Sequence, residues 1–379
     1  MAPSTQFELA QPPNDAISSL VFAPSAPTRL LASSWDKNVY LYDTHTDSEG
    51  GHGTLLQSFE HRAPVMDVCF GADDDEAFSA GMDWTVRRID LSSGDLTLVS
   101  KHAAPVRRVV YSREHCMHHD LGILVQPSRC PFLDPPAAQA NMTLVALLIT
   151  ASWDNTLHVL NPSDTSFSPL TIPLPGKPHA LAASPSKVIV AMTSRLVHIY
   201  DLNTLSTSLQ SGAIPEPWQQ RESSLKFLTR AVAAMPSDAG YATSSIEGRV
   251  AVEWFDASEA SQARKYAFKC HRQTSPEDGA DVVFPVNALA FHPTYGTFAS
   301  GGGDTTVALW DAEAKRRMKI YQKFADSVAA LAFSSDGKYL AVGVCPGFET
   351  GMEDYSGEGR TKVIIRELGD TEAKGKGAK

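Results

Sequence analysis

Residues 301–311 read GGGDTTVALWD, and the fold follows from this stretch. Within it Val307 and Leu309 fall on one side of an extended chain and Ala308 and Trp310 on the other, so both sides are apolar. A strand of this kind is covered on both faces, which places its sheet between two others. The glycines and Asp304 before it read as a turn, and Trp-Asp closes it.

Six further stretches repeat the pattern of turn, short alternation and acidic or amide close. They are ASSWDKNVYLYD (32–43), GMDWTVRRID (81–90), TASWDNTLHVLN (150–161), MTSRLVHIYD (192–201), IEGRVAVEWFD (246–256) and EGRTKVIIREL (358–368). Their closing residues are Asp43, Asp90, Asn161, Asp201, Asp256, Asp311 and Glu367. The intervals run from 40 to 56 residues, apart from one of 71. That period, with Trp-Asp or its relatives at the close, is the mark of WD-type blades of four short strands. The expected fold is therefore all-β, a seven-bladed WD40-type β-propeller over residues 5–368. Seven open sheets in a row would expose two edges, and a ring removes both. TQFELAQ (5–11) is expected to pair with the strand at 361–368, bringing residues 8 and 364 together. Residues 112–142 hold the excess of the long interval and read as a surface loop, and residues 369–379 read as a disordered tail.

The composition suits a large folded core, with 379 residues, 43% of them hydrophobic and 20% charged. A formal net charge of −10 argues against holding nucleic acid through the general surface. No window reaches the run of about 20 apolar residues that spans a bilayer, and the first residues lack a signal-peptide pattern. Five scattered cysteines show no paired spacing, so an intracellular protein with reduced thiols is expected. His115, Cys116, His118, His119 and Cys130 make one crowded patch rather than two spaced pairs, and neither metal nor cofactor is expected. Nucleophile elbow, P-loop, dinucleotide fingerprint and H-E-x-x-H are all missing from the sequence.

Histidine introduces a second strand signal in EHRAPVMDVCF (60–70) and KHAAPVRRVVY (101–111), and VNALAFHP (286–293) carries the same strand. His61, Ser79 and Asp83 are expected to share a buried hydrogen-bond network that fixes blade geometry. Two tryptophans stand where Gly303 stands in the best copy, directly before a turn Asp. These are Trp35 and Trp153, and Trp84 follows Asp83 in the copy between them. Aromatic side chains gathered on one face anchor protein interfaces, so this rim reads as a docking surface.

From residue 222 onward the strings ESSLKFLTR (222–230), SSIEGRVAVEWFD (244–256), KYAFKCHR (265–272), FPVNALAFHP (284–293) and FASGGGDTTVALWD (298–311) resemble a known family. It is the third "budding uninhibited by benzimidazoles" family, the WD-repeat component of the mitotic spindle assembly checkpoint. The resemblance implies a non-catalytic adaptor of the nucleus and the mitotic kinetochore, monomeric within hetero-complexes and without membrane or direct nucleic-acid contact. It implies binding of a short motif in a checkpoint kinase and its pseudokinase relative, with Trp35, Trp153 and Arg230 meeting that motif. It also implies binding of phosphothreonine in Met-Glu-Leu-Thr repeats of a kinetochore scaffold, through Arg249, Lys269 and Arg272. Arg249 stands in IEGRV where other copies carry a turn Asp, so a cation is expected to replace an anion on the rim. A guanidinium matches phosphate in a bidentate fork.

Two other functions compete. The related WD-repeat family of messenger-RNA export and nuclear pore binding shares the SWD turns and the EGR string. VAVEWFD followed by KYAFKCHR, and the acidic net charge, favour the checkpoint family. A propeller enzyme would need several convergent acids or histidines on its inner strands, and VMDVCF and VNALAFH supply one or two.

Overall fold

The computed structural model describes residues 6–46, 52–118, 142–164, 168–276, 278–321, 323–347 and 359–375. Seven four-stranded antiparallel sheets follow one another along the chain, and each repeated stretch supplies the third strand of one sheet, counted outward. The innermost strands are Ile17–Phe22, Val65–Phe70, Val106–His118, Pro178–Ala183, Thr229–Ala234, Val286–Phe291 and Val328–Phe333. Each packs against the next, and the last packs against the first, which closes a seven-bladed β-propeller. The closure is the expected one. Gln6–Glu8 forms the outer strand of blade seven against Lys362–Glu367, and Glu8 lies directly opposite Ile364. Lys362 Nζ reinforces the joint 2.8 Å from the Glu8 carboxylate.

The core lies between the blades. Each of the seven seams holds its own apolar cluster, shared by two adjacent sheets. Blade six shows how alternation builds this arrangement. Val307 and Leu309 pack with Val328 and Val342 of blade seven, while Ala308 and Trp310 pack with Val250 and Trp254 of blade five. A fully buried Val, Leu or Phe stabilises the fold by about 1.5–3 kcal/mol, so separating any two blades exposes far more apolar surface than one sheet can tolerate.

Three segments differ from the sequence reading. The long interval is not a loop from residue 112, because Val106–His118 and Met142–Ser152 continue as a paired hairpin as far as His118 opposite Met142. MTLVALLITAS is one unbroken strand-forming run, and it carries its partner outward with it. The remainder, 119–141, lies outside the described residues, and so do the side chains of the histidine and cysteine patch. Cys69, Cys270 and Cys345 form no disulfide, and no metal-binding group of side chains occurs among the described residues.

The expected disordered tail is also ordered through residue 375. Ala373 is buried in the seam of blades six and seven, and its carbonyl accepts from Thr297 Oγ1 at 2.8 Å. Glu372 meets Lys319 at 3.0 Å and Arg366 at 3.3 Å. One apolar side chain and one carboxylate are enough to tie down a small, charged segment. Finally, an unanticipated helix, Leu202–Ser211, follows blade four. Asp201 caps it by accepting from Asn203 N and Thr204 N, Gly212 ends it at φ 71°, and Leu202 and Leu205 seat it on the seam of blades three and four.

Candidate peptide-binding face

The connections between the second and third strands of the blades lie at one end of the propeller. In every blade the first residue of the turn donates its backbone N–H to the residue just before the inner strand. The donors are Trp35, Met82, Trp153, Thr193, Ile246, Gly303 and Cys345. Trp35 and Trp153 therefore do occupy one structural position, as their sequence context suggests. Their surroundings differ. Trp35 is 38% exposed and lines the mouth of the axial channel. Trp153 is half-buried, its indole Nε1 is enclosed without a hydrogen-bond partner, and Lys177 Nζ lies 6.0 Å from its ring.

Two residues further on, the turn adopts the left-handed conformation at Lys37, Trp84, Asn155, Arg195, Gly248 and Thr305. Gly248 is required there, since a Cβ would come within 2.8 Å of the Cys270 carbonyl oxygen. Trp84 is 45% exposed at φ 69°, a conformation that bulky residues rarely adopt. Trp84→Asn, which copies blade three, is expected to raise the unfolding free energy in urea by up to about 1 kcal/mol. A loss of stability would mean that the indole packs productively.

The inner strands begin with a bulge in all seven blades, and the extra residue is Ser18, Met66, Arg107, His179, Arg230, Asn287 or Ala329. A bulge re-aims the side chain it carries. Here six of the seven line one cavity of about 600 Å³ at the channel mouth. Arg230 is exposed there, and its guanidinium donates to Asn287 Oδ1 at 2.9 and 3.2 Å. Ile246, Val282, Val283 and Trp35 add apolar surface to the same lining. The only inner-strand acid that sequence reading offered in VMDVCF, Asp67, is tied to Arg108 at 3.3 Å and to Val109 N at 3.0 Å.

The second candidate cluster lies on blade five. Arg249 opens Arg249–Trp254, and its cross-strand partner is Lys269, the last residue of Tyr266–Lys269. Arg272 begins a two-stranded hairpin, Arg272–Thr274 with Asp281–Val283, which no sequence signal announced. Its guanidinium donates to the Glu247 carbonyl at 3.0 Å and lies 3.9 Å from Asp281. The fold thus brings Arg249, Lys269 and Arg272 around one turn. Arg230 stands apart from them at the mouth.

The expected charge reversal at Arg249 needs correction. Glu247 holds the turn-acid position of blade five, and Arg249 falls where other blades place Asn38, Thr85, Thr156 or Thr306. Those residues bond the turn acid from one side, and Arg249 does the same through a longer arm, with Nε 3.6 Å from Glu247 Oε2. The rim gains a cation without losing an anion.

The polar network also differs from expectation. His61 Nε2 bonds Ser79 Oγ at 2.7 Å, but its Nδ1 turns to the Phe59 carbonyl at 2.9 Å. Asp83 bonds Thr85 and Arg87 instead, because Arg87 competes for the carboxylate from the same sheet. The full set occurs between blades five and six. His271 Nδ1 meets Asp304 Oδ1 at 2.7 Å, His271 Nε2 meets Ser300 Oγ at 2.8 Å, and Trp310 Nε1 donates to Ser300 Oγ at 2.8 Å. His102 repeats most of this arrangement with Asp154 and Thr150. The histidine adjoining Arg272 is thus an internal brace, and it holds the basic cluster in place.

His102 stacks on His158 with ring centroids 3.6 Å apart. Burial, with the neighbouring His102 adding to it, takes His158 down to about 4. A histidine lowered in the fold binds fewer protons than in the unfolded chain, so its stabilisation is complete above about pH 6.5 and declines toward pH 4. Unfolding free energy is expected to be lower at about pH 5 than at about pH 7.5 by on the order of 1 kcal/mol from this site, after allowance for partial solvation. His158→Leu should flatten that slope; an unchanged slope would assign the pH dependence elsewhere.

Residues 5–43, 53–90 and 280–311 match the WD domain, G-beta repeat family. Across the whole length the chain is 40% identical to "Mitotic checkpoint protein BUB3.1" of Arabidopsis thaliana, an alignment that covers 99% of this chain and 96% of that one. The chain belongs to the BUB3 family of WD-repeat mitotic checkpoint proteins. A second relative, "Mitotic checkpoint protein bub3" of Dictyostelium discoideum, is 34% identical over 93% of this chain and 92% of its own. The "mRNA export factor GLE2" of Chaetomium thermophilum is 30% identical over 96% of this chain and 90% of its own. Set against the BUB3 family resemblance read from the strings after residue 222, one residue of the channel mouth went unread, Arg107. It stands two places after Pro105 at the start of an inner strand, in PVR.

Proposed function

We propose that this BUB3-family protein is a non-catalytic adaptor that holds two short peptides on its turn face. The mouth, with exposed Trp35, Arg230 and apolar surface, suits a motif of alternating acidic and apolar residues from a checkpoint kinase and its pseudokinase relative. The blade-five cluster suits the phosphothreonine of Met-Glu-Leu-Thr repeats in a kinetochore scaffold. Joining the two would bring the kinases to unattached kinetochores, which makes the nucleus and the mitotic kinetochore the places of action. The observation that carries this reading is the gathering of Arg249, Lys269 and Arg272 on one edge, beside a mouth that pairs cations with aromatic and aliphatic surface.

The chemistry supports a phosphate in particular. Phosphothreonine brings about −1.5 to −2 charges and three acceptors, enough to compete with Glu247 for Arg249 across a long, partly exposed contact. A hydroxyl could not. Trp35→Ala is expected to weaken the kinase motif by about 2 kcal/mol, while Trp153→Ala should mainly lower thermal stability because that indole is half-buried. Equal affinity losses from both would restore Trp153 as a contact.

The similarity to an export factor names the rival reading. A pull-down from mitotic extract with the full chain should retain the checkpoint kinase, and Trp35→Ala should release it. Retention of a nucleoporin in place of the kinase would assign the face to the export function.

A further inference from the structure

We propose that the two ends of the chain are clamped together through Arg366, and that this clamp sets how readily the ring opens at its closing blade. Arg366 belongs to the third strand of blade seven, directly opposite Gln6 of the N-terminal strand. Its guanidinium reaches both ends at once. Nη1 donates to Gln6 Oε1 at 3.4 Å, while Nε and Nη2 each donate to Glu372 Oε1 at 3.3 Å. Among the seven blades only this one takes its outer strand from the other end of the chain, so no turn joins its last two strands. That outer strand has three residues, and a short terminal strand is where local opening begins. A side chain that ties it to the other terminus therefore acts on the weakest joint of the ring.

The C-terminal segment carries the clamp across to blade six. Glu372 also meets Lys319 Nζ at 3.0 Å on the outer strand of that blade. The bond from Thr297 Oγ1 to the carbonyl of buried Ala373 fixes the segment to the second strand, and Gly375 runs against the third, where a Cβ would stand 2.8 Å from Asp311 Oδ2. Tyr321, buried in the same seam, has the Arg366 guanidinium carbon 4.4 Å and Lys319 Nζ 5.5 Å from its ring centre. Arg366 and Glu372 are only 16% and 14% exposed, so water and salt screen their contact little. Burial pushes the Glu372 carboxyl up, but the bond from Lys319 and the charges of Arg366 and Lys319 outweigh it and leave it below the ordinary carboxylate value. One carboxylate and one guanidinium thus link the N-terminal strand, the third strand of blade seven and the outer strand of blade six.

The test is native-state hydrogen exchange on the full chain. Arg366→Met keeps an unbranched stem in the strand and removes both links, so it should speed amide exchange in Gln6–Glu8 and Lys362–Glu367 by about tenfold while leaving Val65–Phe70 and Pro178–Ala183 unchanged. Glu372→Gln preserves the shape and removes the charge, and it should speed exchange in the same two strands by a smaller factor. The double variant should exchange there little faster than Arg366→Met alone, because the two changes break one contact. Unchanged exchange in both single variants would overturn the proposal, and so would an equal increase in all seven blades, which is the mark of a general loss of stability. A double variant whose effect is the product of the two single effects would show that the ends are held separately and would also overturn it. None of these results depends on which peptides the turn face holds.

Discussion

Replacing Arg249 with alanine is expected to weaken a phosphothreonine peptide by about 100-fold, or roughly 2.7 kcal/mol, with little change in thermal stability. The two halves of this expectation have separate causes. Arg249 and its Glu247 partner are 35% and 19% exposed and 3.6 Å apart, and ion pairs of that kind contribute about 0–1 kcal/mol to folding. Toward a phosphate the same side chain would offer two parallel donors with full charge, which Lys269 cannot replace because an ammonium lacks the fork. Arg249→Lys should therefore recover only part of the affinity. Calorimetry with one peptide and two variants, alongside thermal melts, separates binding from folding. A large drop in melting temperature for Arg249→Ala would make the arginine a structural strut.

The second large effect is expected from a residue that touches no partner. Asp304→Ala should lower the unfolding free energy by about 3 kcal/mol, because it strands a buried histidine. Asp304 is 6% exposed and accepts from His271 Nδ1 at 2.7 Å and from Thr306 Oγ1 at 2.9 Å. Burial pushes its carboxyl up, but the hydrogen bonds and charge of His271 and the bonds from Thr306 outweigh that and leave it below the ordinary carboxylate value. Phosphopeptide affinity should fall as well, since His271 sits at φ 48° directly before Arg272 and fixes where that side chain emerges. Asp83→Ala is the contrast. Asp83 makes no bond to His61, so its loss should cost about 1 kcal/mol. Urea denaturation of the two variants decides the matter, and equal losses would mean that the blade-two and blade-six turns are held alike.

Much of the architecture could be read from the sequence because each blade repeats one physical problem. Val307, Leu309, Ala308 and Trp310 state it: a strand with two apolar faces needs a neighbour on each side, and seven such strands close only as a ring. Glu8 and Ile364 came together for the same reason. The site was less legible. Trp35 and Trp153 share a position but not an environment, since Lys177 and the adjoining blade enclose one of them. Arg107 was hidden because a bulge leaves the apolar pattern intact and shows itself only once strands are in register. The His271–Asp304 brace spans 33 residues of sequence and two blades, whereas His61 and Ser79 are only 18 residues apart and more legible as a pair. Glu247 looked like part of the sequence IEGRV and not like the acid of its turn, which the shared backbone hydrogen bonds of Trp35, Met82, Trp153, Ile246 and Gly303 reveal.

The central claim is that a single edge of the disc distinguishes a phosphorylated threonine from an unmodified one. Titrating the intact protein with a matched pair of Met-Glu-Leu-Thr peptides, one phosphorylated and one not, tests it most directly. The phosphorylated peptide should bind more tightly by a factor of about 100, with a preference that shrinks as salt is raised and screens the cluster. Equal binding of the two peptides, or a preference that survives the removal of Arg249, would contradict the account.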